Sequence, residues 1–225
     1  MVIVATINIL AHSQQRGTSQ DNEVKSIMPY SSFTLAQVQA QFDLNVSKGV
    51  FFTDLPRLSA RTWFEESLAV TAPFAAAQGS EKVLSELIIA PLLFELRELL
   101  DRQIGLFSGV DFSIDSESGL NGVCDFLLTR SNNELIVTAP AIILVEAKKA
   151  DLIAGWGQCA AEMIAAQKFN LAKGQEIPTI YGSVTTGSQW QFLKLTARDL
   201  TIDTTDYSLN PIDRILGILK WMVEN

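Results

Sequence analysis

Apolar residues in the first half of the chain recur at helical spacing. A capping box at 34–37 predicts a short helix. Ser59 is the predicted N-cap of a second helix, which Pro73 ends or bends. A long apolar stripe predicts a third helix over 80–102, and Pro91 should kink it. This half of the chain is therefore expected to be helical.

The second half alternates extended and helical patterns. It predicts five main strands, over 106–114, 123–129, 141–148, 179–185 and 189–195, and helices over about 151–172 and from Asn210 onward. A further short strand is predicted over 135–137 and is not counted among these five. The resulting order of helix, three strands, helix, two strands and helix indicates one α/β core. Residues 13–26 are mostly polar and show no periodicity. We therefore expect 1–28 to be an N-terminal appendage, and 29–225 to form a single domain.

Composition narrows the class of protein. Hydrophobic residues make up 48% of the 225 and charged residues 19%, which is typical of a globular chain. No apolar run reaches the ~18 residues of a membrane helix, and no secretory signal is recognisable. We therefore expect a cytoplasmic protein that does not enter membranes. Two cysteines and one histidine, His12, exclude a disulfide framework, a cysteine zinc cage and most histidine-based sites.

The charge balance opposes one class of partner. Lys and Arg number 17 against 25 Asp and Glu, so the net charge is −8. An acidic protein does not attract nucleic acid or an anionic membrane surface without local basic groups, bound metal or a partner.

One group of residues has a pattern typical of a chemical site. The apolar strand over 141–148 contains Glu146 and Lys148, which are two apart and so share a face. Asp125 lies in the preceding predicted strand, and it comes beside Glu146 if the two strands are neighbours in register. Two close carboxylates repel, and a hard divalent cation relieves the repulsion. The alternative interpretation is an acid at a strand end and a solvated ion pair.

These residues resemble the PD-(D/E)XK nuclease superfamily, and most closely an uncharacterised, mostly cyanobacterial branch of it. The likeness extends from about residue 33 to the C-terminus, and its segments are FSGV at 107–110, GLNGVCDF at 119–126, VEAK at 145–148, GQCAAEM at 157–163 and IYGSVTTG at 180–187. The resemblance implies a restriction-endonuclease-like core, here with extra N-terminal helices, and a Mg²⁺ or Mn²⁺ site. Asp125, Glu146 and the Ala147 carbonyl would hold the metal, and Lys148 would serve the attacking water. Cys124 stands where the family name expects proline.

Helical residues would complete the site. Gln158 resembles the helical glutamine of the superfamily, and Glu162 falls on the same helix face. Glu162 replaces a tyrosine of some branches, so that tyrosine's role does not transfer to it. For a supporting glutamate in the long helix, the resemblance favours Glu86. Counting 100° per residue instead places Glu95 in the apolar stripe and Glu86 outside it, and the choice stays open.

The sequence thus predicts a metal-dependent nuclease that hydrolyses phosphodiester bonds in DNA. DNA is the expected partner although the net charge opposes it, and a homodimer stays open. The alternative hypothesis is a nuclease-fold module that binds nucleic acid or a partner protein and has little or no catalytic activity.

Overall fold

The computed structural model of the protein describes residues 29–50, 52–54 and 57–225. The predicted appendage over 1–28, including His12, lies outside these residues. The helices are α1 (Leu35–Phe42), α2 (Thr62–Gln78), α3 (Glu81–Leu84), α4 (Ala90–Leu99), α5 (Leu152–Ala172) and α6 (Ile212–Glu224). The strands are β1 (Asn45–Gly49), β2 (Gly105–Asp111), β3 (Val123–Thr129), β4 (Ala141–Ala147), β5 (Thr179–Thr185), β6 (Gln189–Thr196), β7 (Asp199–Asp203) and β8 (Tyr207–Ser208).

The strands form one mixed eight-stranded sheet, which confirms the α/β class. Its order is β1-β7-β6-β5-β4-β3-β2, and β8 pairs with β6. Strands β2, β3 and β4 form an antiparallel meander. The chain then crosses through α5 and returns as β5, which is parallel to β4. A parallel neighbour requires such a crossover connection, and the 21-residue α5 supplies it.

Helices cover both faces of the sheet. Helices α1 and α5 share one core with β-strand side chains such as Leu144. Helices α4 and α6 share the other core with side chains such as Ile143 and Val145. All seven residues of β4 are buried, as expected for a near-continuous apolar strand in the middle of a covered sheet.

Several predicted elements are confirmed and others are corrected. Thr34 and Gln37 form the predicted capping box of α1. Pro73 does not end α2, which continues to Gln78. Residues 135–137 do not form a strand. The edge strand β1 and its neighbour β7 were not predicted, because they are short and β1 has a single large apolar residue, Val46.

The long predicted helix over 80–102 is interrupted. Between α3 and α4 lies a π-helical turn, Ser85–Ile89, in which the Ala90 amide donates to the Ser85 carbonyl. The α-helical pattern restarts at Ala90, so Pro91 falls in the first turn of α4, where its missing N–H costs little. The predicted single helix is therefore divided into α3, the π turn and α4.

None of the helices in residues 29–50, 52–54 and 57–225 combines the length and apolar composition that crossing a bilayer requires.

Candidate metal-binding and catalytic site

Asp125 and Glu146 lie at the same end of two adjacent strands. The antiparallel register pairs Phe126 with Val145, so the two acids are the next residues along β3 and β4. There the Ala147 amide donates a hydrogen bond to Asp125 Oδ2 at 2.8 Å. The Asp125 side chain thus binds directly to the end of β4, as the sequence predicts if the strands are neighbours.

Glu146 and Lys148 share the face of β4 that is covered by α5. Lys148 Nζ donates to Glu146 Oε1 at 2.5 Å and to Gln158 Oε1 at 3.3 Å. Glu146 is only 2% exposed, and Lys148 is partly buried. The pair is therefore not the solvated surface pair of the alternative interpretation.

Helix α5 adds two polar side chains to this cluster. Gln158 Nε2 donates to Glu146 Oε2 at 2.8 Å and to Glu162 Oε1 at 3.2 Å. Glu162 is 0% exposed, and among the described residues its Oε2 has no hydrogen-bond partner. We call these five side chains, namely Asp125, Glu146, Lys148, Gln158 and Glu162, the acidic cluster.

Two glycines let α5 pack closely against its neighbours, Gly155 against the sheet beside the cluster and Gly157 against the backbone that leads into α1. A Cβ at Gly155 would lie 2.5 Å from Val184 Cγ1 and 3.2 Å from Lys148 Cγ. A Cβ at Gly157 would lie 2.3 Å from the Phe33 carbonyl oxygen. Such distances leave no room for a side chain, so the glycines are accounted for by packing despite their cost of ~1 kcal/mol each in a helix.

Three carboxyl groups, two of them buried and one half-buried, surround a single amine in the cluster. Burial and, after it, the neighbouring Asp125 carboxylate raise the pKa of Glu146 to about 8, although the Lys148 ammonium acts in the opposite direction. Burial, followed by the Glu146 charge, holds the pKa of Glu162 well above its usual range. Burial lowers the pKa of Lys148, but the Glu146 carboxylate outweighs this and raises it overall. Three carboxyl groups thus face one amine.

The donor set fits a hard divalent cation. Mg²⁺ binds through one or two carboxylates and keeps several waters, so Asp125 and Glu146 with a main-chain carbonyl suffice. In residues 29–50, 52–54 and 57–225, no three Asp, Glu, His or Cys side chains converge as a preformed ligand set. The fit therefore rests on two carboxylates rather than on a side-chain cage.

Neither Glu86 nor Glu95, the two supporting glutamates considered from the sequence, belongs to the acidic cluster. The Glu86 side chain is 58% exposed and pairs with Lys82. Glu95 is 0% exposed and pairs with Arg61. Instead, the charge of Glu81, in the first turn of α3, contributes to raising the pKa of both Glu146 and Lys148. Glu81 was not singled out from the sequence, although at 100° per residue it falls on the same side of the helix as Ile88 and Leu92.

An open cleft lies beside the residues that follow Lys148. Its volume is about 870 Å³, and it lies between α2, the β5–β6 turn and the start of α5. Polar groups in its lining include Lys149, Thr186, Ser188 and Asn210, while much of the rest is apolar. None of the five side chains of the acidic cluster lines the cleft.

Comparison with protein-family models, curated proteins and solved structures returned no match for the chain. The functional argument therefore depends on the residues and their geometry.

Proposed function

We propose that this protein is a metal-dependent nuclease that hydrolyses phosphodiester bonds in DNA with Mg²⁺ or Mn²⁺. The observation that carries the proposal is the meeting of Asp125, Glu146 and Lys148 at adjacent strand ends. Phosphodiester hydrolysis needs negative charge on phosphate to be stabilised and a water to be activated. Two carboxylates and an amine in one pocket meet both needs without histidine.

The proposed metal ligands are Asp125, Glu146 and the Ala147 carbonyl. When bound there, the metal polarises the phosphate and lowers the pKa of a water. Lys148 has three N–H donors, of which Glu146 and Gln158 accept two among the described residues. The third is available to a phosphate oxygen or to a water, so Lys148 can stabilise negative charge that develops in the reaction.

The topology gives further support to a PD-(D/E)XK assignment. Helix α4, the antiparallel meander β2-β3-β4, the crossover α5 and the parallel β5 follow one another in the order that the resemblance implies. Within this order, Asp125 lies in β3, Glu146 lies in β4 and Lys148 directly follows β4. Gln158 lies in α5.

A second candidate is a nuclease-fold accessory module without catalysis. The net charge of −8 favours it, because DNA would approach an acidic molecule against repulsion. Retention of all three of Asp125, Glu146 and Lys148 favours the enzyme.

A cleavage assay tests the proposal. Plasmid, single-stranded and branched DNA are incubated with Mg²⁺ or Mn²⁺, with and without chelator. We expect Lys148→Ala to reduce cleavage by about 10²-fold or more, as for loss of a catalytic proton-transfer or charge-stabilising group. Lys173→Ala is the matched control, because it removes the same charge at the opposite end of α5. Cleavage that survives both Lys148→Ala and chelator would rule out the proposed site.

Calorimetry separates the two candidates. Asp125→Asn keeps an acceptor for the Ala147 amide but removes the charge, and we expect it to weaken Mn²⁺ binding. If the wild-type protein binds Mn²⁺ through Asp125 yet cleaves none of the DNA substrates, the accessory module replaces the nuclease.

A further inference from the structure

We propose that Glu162 is a positioning residue that fixes the Gln158 carboxamide with its oxygen toward the Lys148 amine. The inference deepens the proposed function and rests on it for the reaction concerned. Glu162 lies one helical turn after Gln158 on α5 and is fully buried. Among the described residues, Gln158 forms hydrogen bonds to both Lys148 and Glu162, so Glu162 influences Lys148 through Gln158.

The hydrogen bonds determine which way the carboxamide points. Gln158 Nε2 carries two N–H donors, and these reach Glu146 Oε2 and Glu162 Oε1. The reversed amide would turn its oxygen toward these carboxyl groups and its NH₂ toward an ammonium group, which only donates. With both anchors in place, Gln158 Oε1 is left to accept from Lys148 Nζ.

The burial of Glu162 shows that packing alone does not account for it. Its Oε2 is enclosed without a hydrogen-bond partner in the described part of the chain. A buried polar atom in this state destabilises the fold, whereas an apolar side chain of similar length would not carry that cost. A residue that is unfavourable for stability but holds a polar neighbour of Lys148 is better explained by the site than by the core.

Three variants distinguish positioning from a structural role. Glu162→Met keeps the length of the side chain and removes the acceptor. We expect it to lower the turnover rate about tenfold, as is usual for loss of a group that orients a site residue. The melting temperature should stay unchanged or rise, and the dissociation constant for Mn²⁺ should stay within about threefold. Glu162→Gln restores an acceptor oxygen and should recover most of the turnover.

The third variant supplies a double-mutant cycle. In a Gln158→Leu background, Glu162→Met should have no further effect on turnover, because the group that it orients is gone. A lower melting temperature together with losses that multiply in the double variant would mean a structural role and would overturn the proposal.

A spectroscopic measurement keeps this test independent of cleavage. The two Nε2 protons of Gln158 are assigned by their absence from the Gln158→Leu spectrum. We expect them to be separate and slow to exchange in the wild type, and to exchange at least several-fold faster in Glu162→Met. Unchanged exchange would overturn the positioning role even if DNA is cleaved. Faster exchange in a protein that cleaves no DNA would leave the positioning role standing and the nuclease proposal refuted.

Discussion

Two buried glutamates in this molecule are neutralised in opposite ways. On α4, Glu95 accepts from the Arg61 amide at 2.7 Å and from the Arg61 guanidinium at 2.7 Å and 3.0 Å. On β4, Glu146 shares a single amine, Lys148, with two other carboxyl groups. The first arrangement is complete without a ligand, whereas the second has three carboxyl groups for one amine. A buried carboxyl group therefore suggests a cation site only where the protein supplies fewer cationic partners than carboxyl groups.

The largest expected effect on stability at a single pH comes from unbalancing the complete pair. Arg61→Ala would leave the Glu95 carboxylate buried without its guanidinium, and we expect a loss of about 3 kcal/mol in the free energy of unfolding. This is the low end for a broken buried pair, because the Arg61 side chain is 38% exposed and partly screened by solvent. Urea denaturation measures the loss.

Arg102→Ala is the control for this experiment. Arg102 follows the end of α4, its side chain is 67% exposed, and its partner Glu98 also pairs with Arg97. Its removal should therefore cost less than about 0.5 kcal/mol. Equal losses in the two variants would contradict the distinction between a buried and an exposed pair.

Removing a carboxyl group from the acidic cluster should change stability in the opposite direction, because it should make the folded protein less sensitive to rising pH. The pKa of Glu146 rises from its ordinary value of 4.5 to about 8 in the folded, metal-free protein, chiefly through burial. Between these pH values the unfolded chain releases a proton that the folded protein retains, so stability falls as pH rises. Glu146→Gln lacks this titration.

We expect the loss of stability between pH 5 and pH 8 to be smaller in Glu146→Gln by about 3 kcal/mol, or roughly 6–12 °C in melting temperature. Thermal unfolding in chelator at the two pH values measures the difference. Parallel pH profiles for the variant and the wild type would show that Glu146 is not held in its protonated form.

The smallest expected effect is a change in Mn²⁺ affinity, and it distinguishes Glu81 from Glu86. Glu81→Gln should change the Mn²⁺ dissociation constant about threefold, or roughly 0.6 kcal/mol, because its charge reaches Glu146 and Lys148. Glu86→Gln is the matched control and should leave it unchanged, since Glu86 pairs with Lys82 on an exposed surface. Calorimetric titration measures both, and a larger effect at Glu86 would restore it as the supporting glutamate.

The parts of the fold that could be predicted are those with strong local signals. Strand β3 has the predicted bounds, and β4 ends one residue before its prediction, because apolar runs in a covered sheet are unambiguous. The neighbouring positions of Asp125 and Glu146 follow from the antiparallel return between these strands. Edge strand β1 escaped prediction because its sequence, NVSKG, has no alternation of apolar and polar residues.

The helical contribution to the site could not be predicted by counting alone. A period of 100° per residue assumes one continuous α-helix over 80–102, but Ser85–Ile89 is wound differently. For α5 the same count worked, because that helix is regular over 21 residues, and it placed Gln158 and Glu162 together. Counting also placed Glu95 in the apolar stripe, where it is buried. Its pairing with Arg61, however, depends on a residue far away in the sequence, which no local pattern reveals.

The π turn absorbs an extra residue between α3 and α4. A π turn holds one more residue than the α-helical turn that it replaces. Deleting one residue from Ser85–Ile89 would therefore leave the number that an α-helical turn holds, and α3 and α4 would merge into a regular helix with little change in their relative orientation. Glu81 would keep its side of the helix, and Leu92 and Leu96 would keep their places in the core. An inserted residue can thus be accommodated within one turn without moving the segments on either side of it.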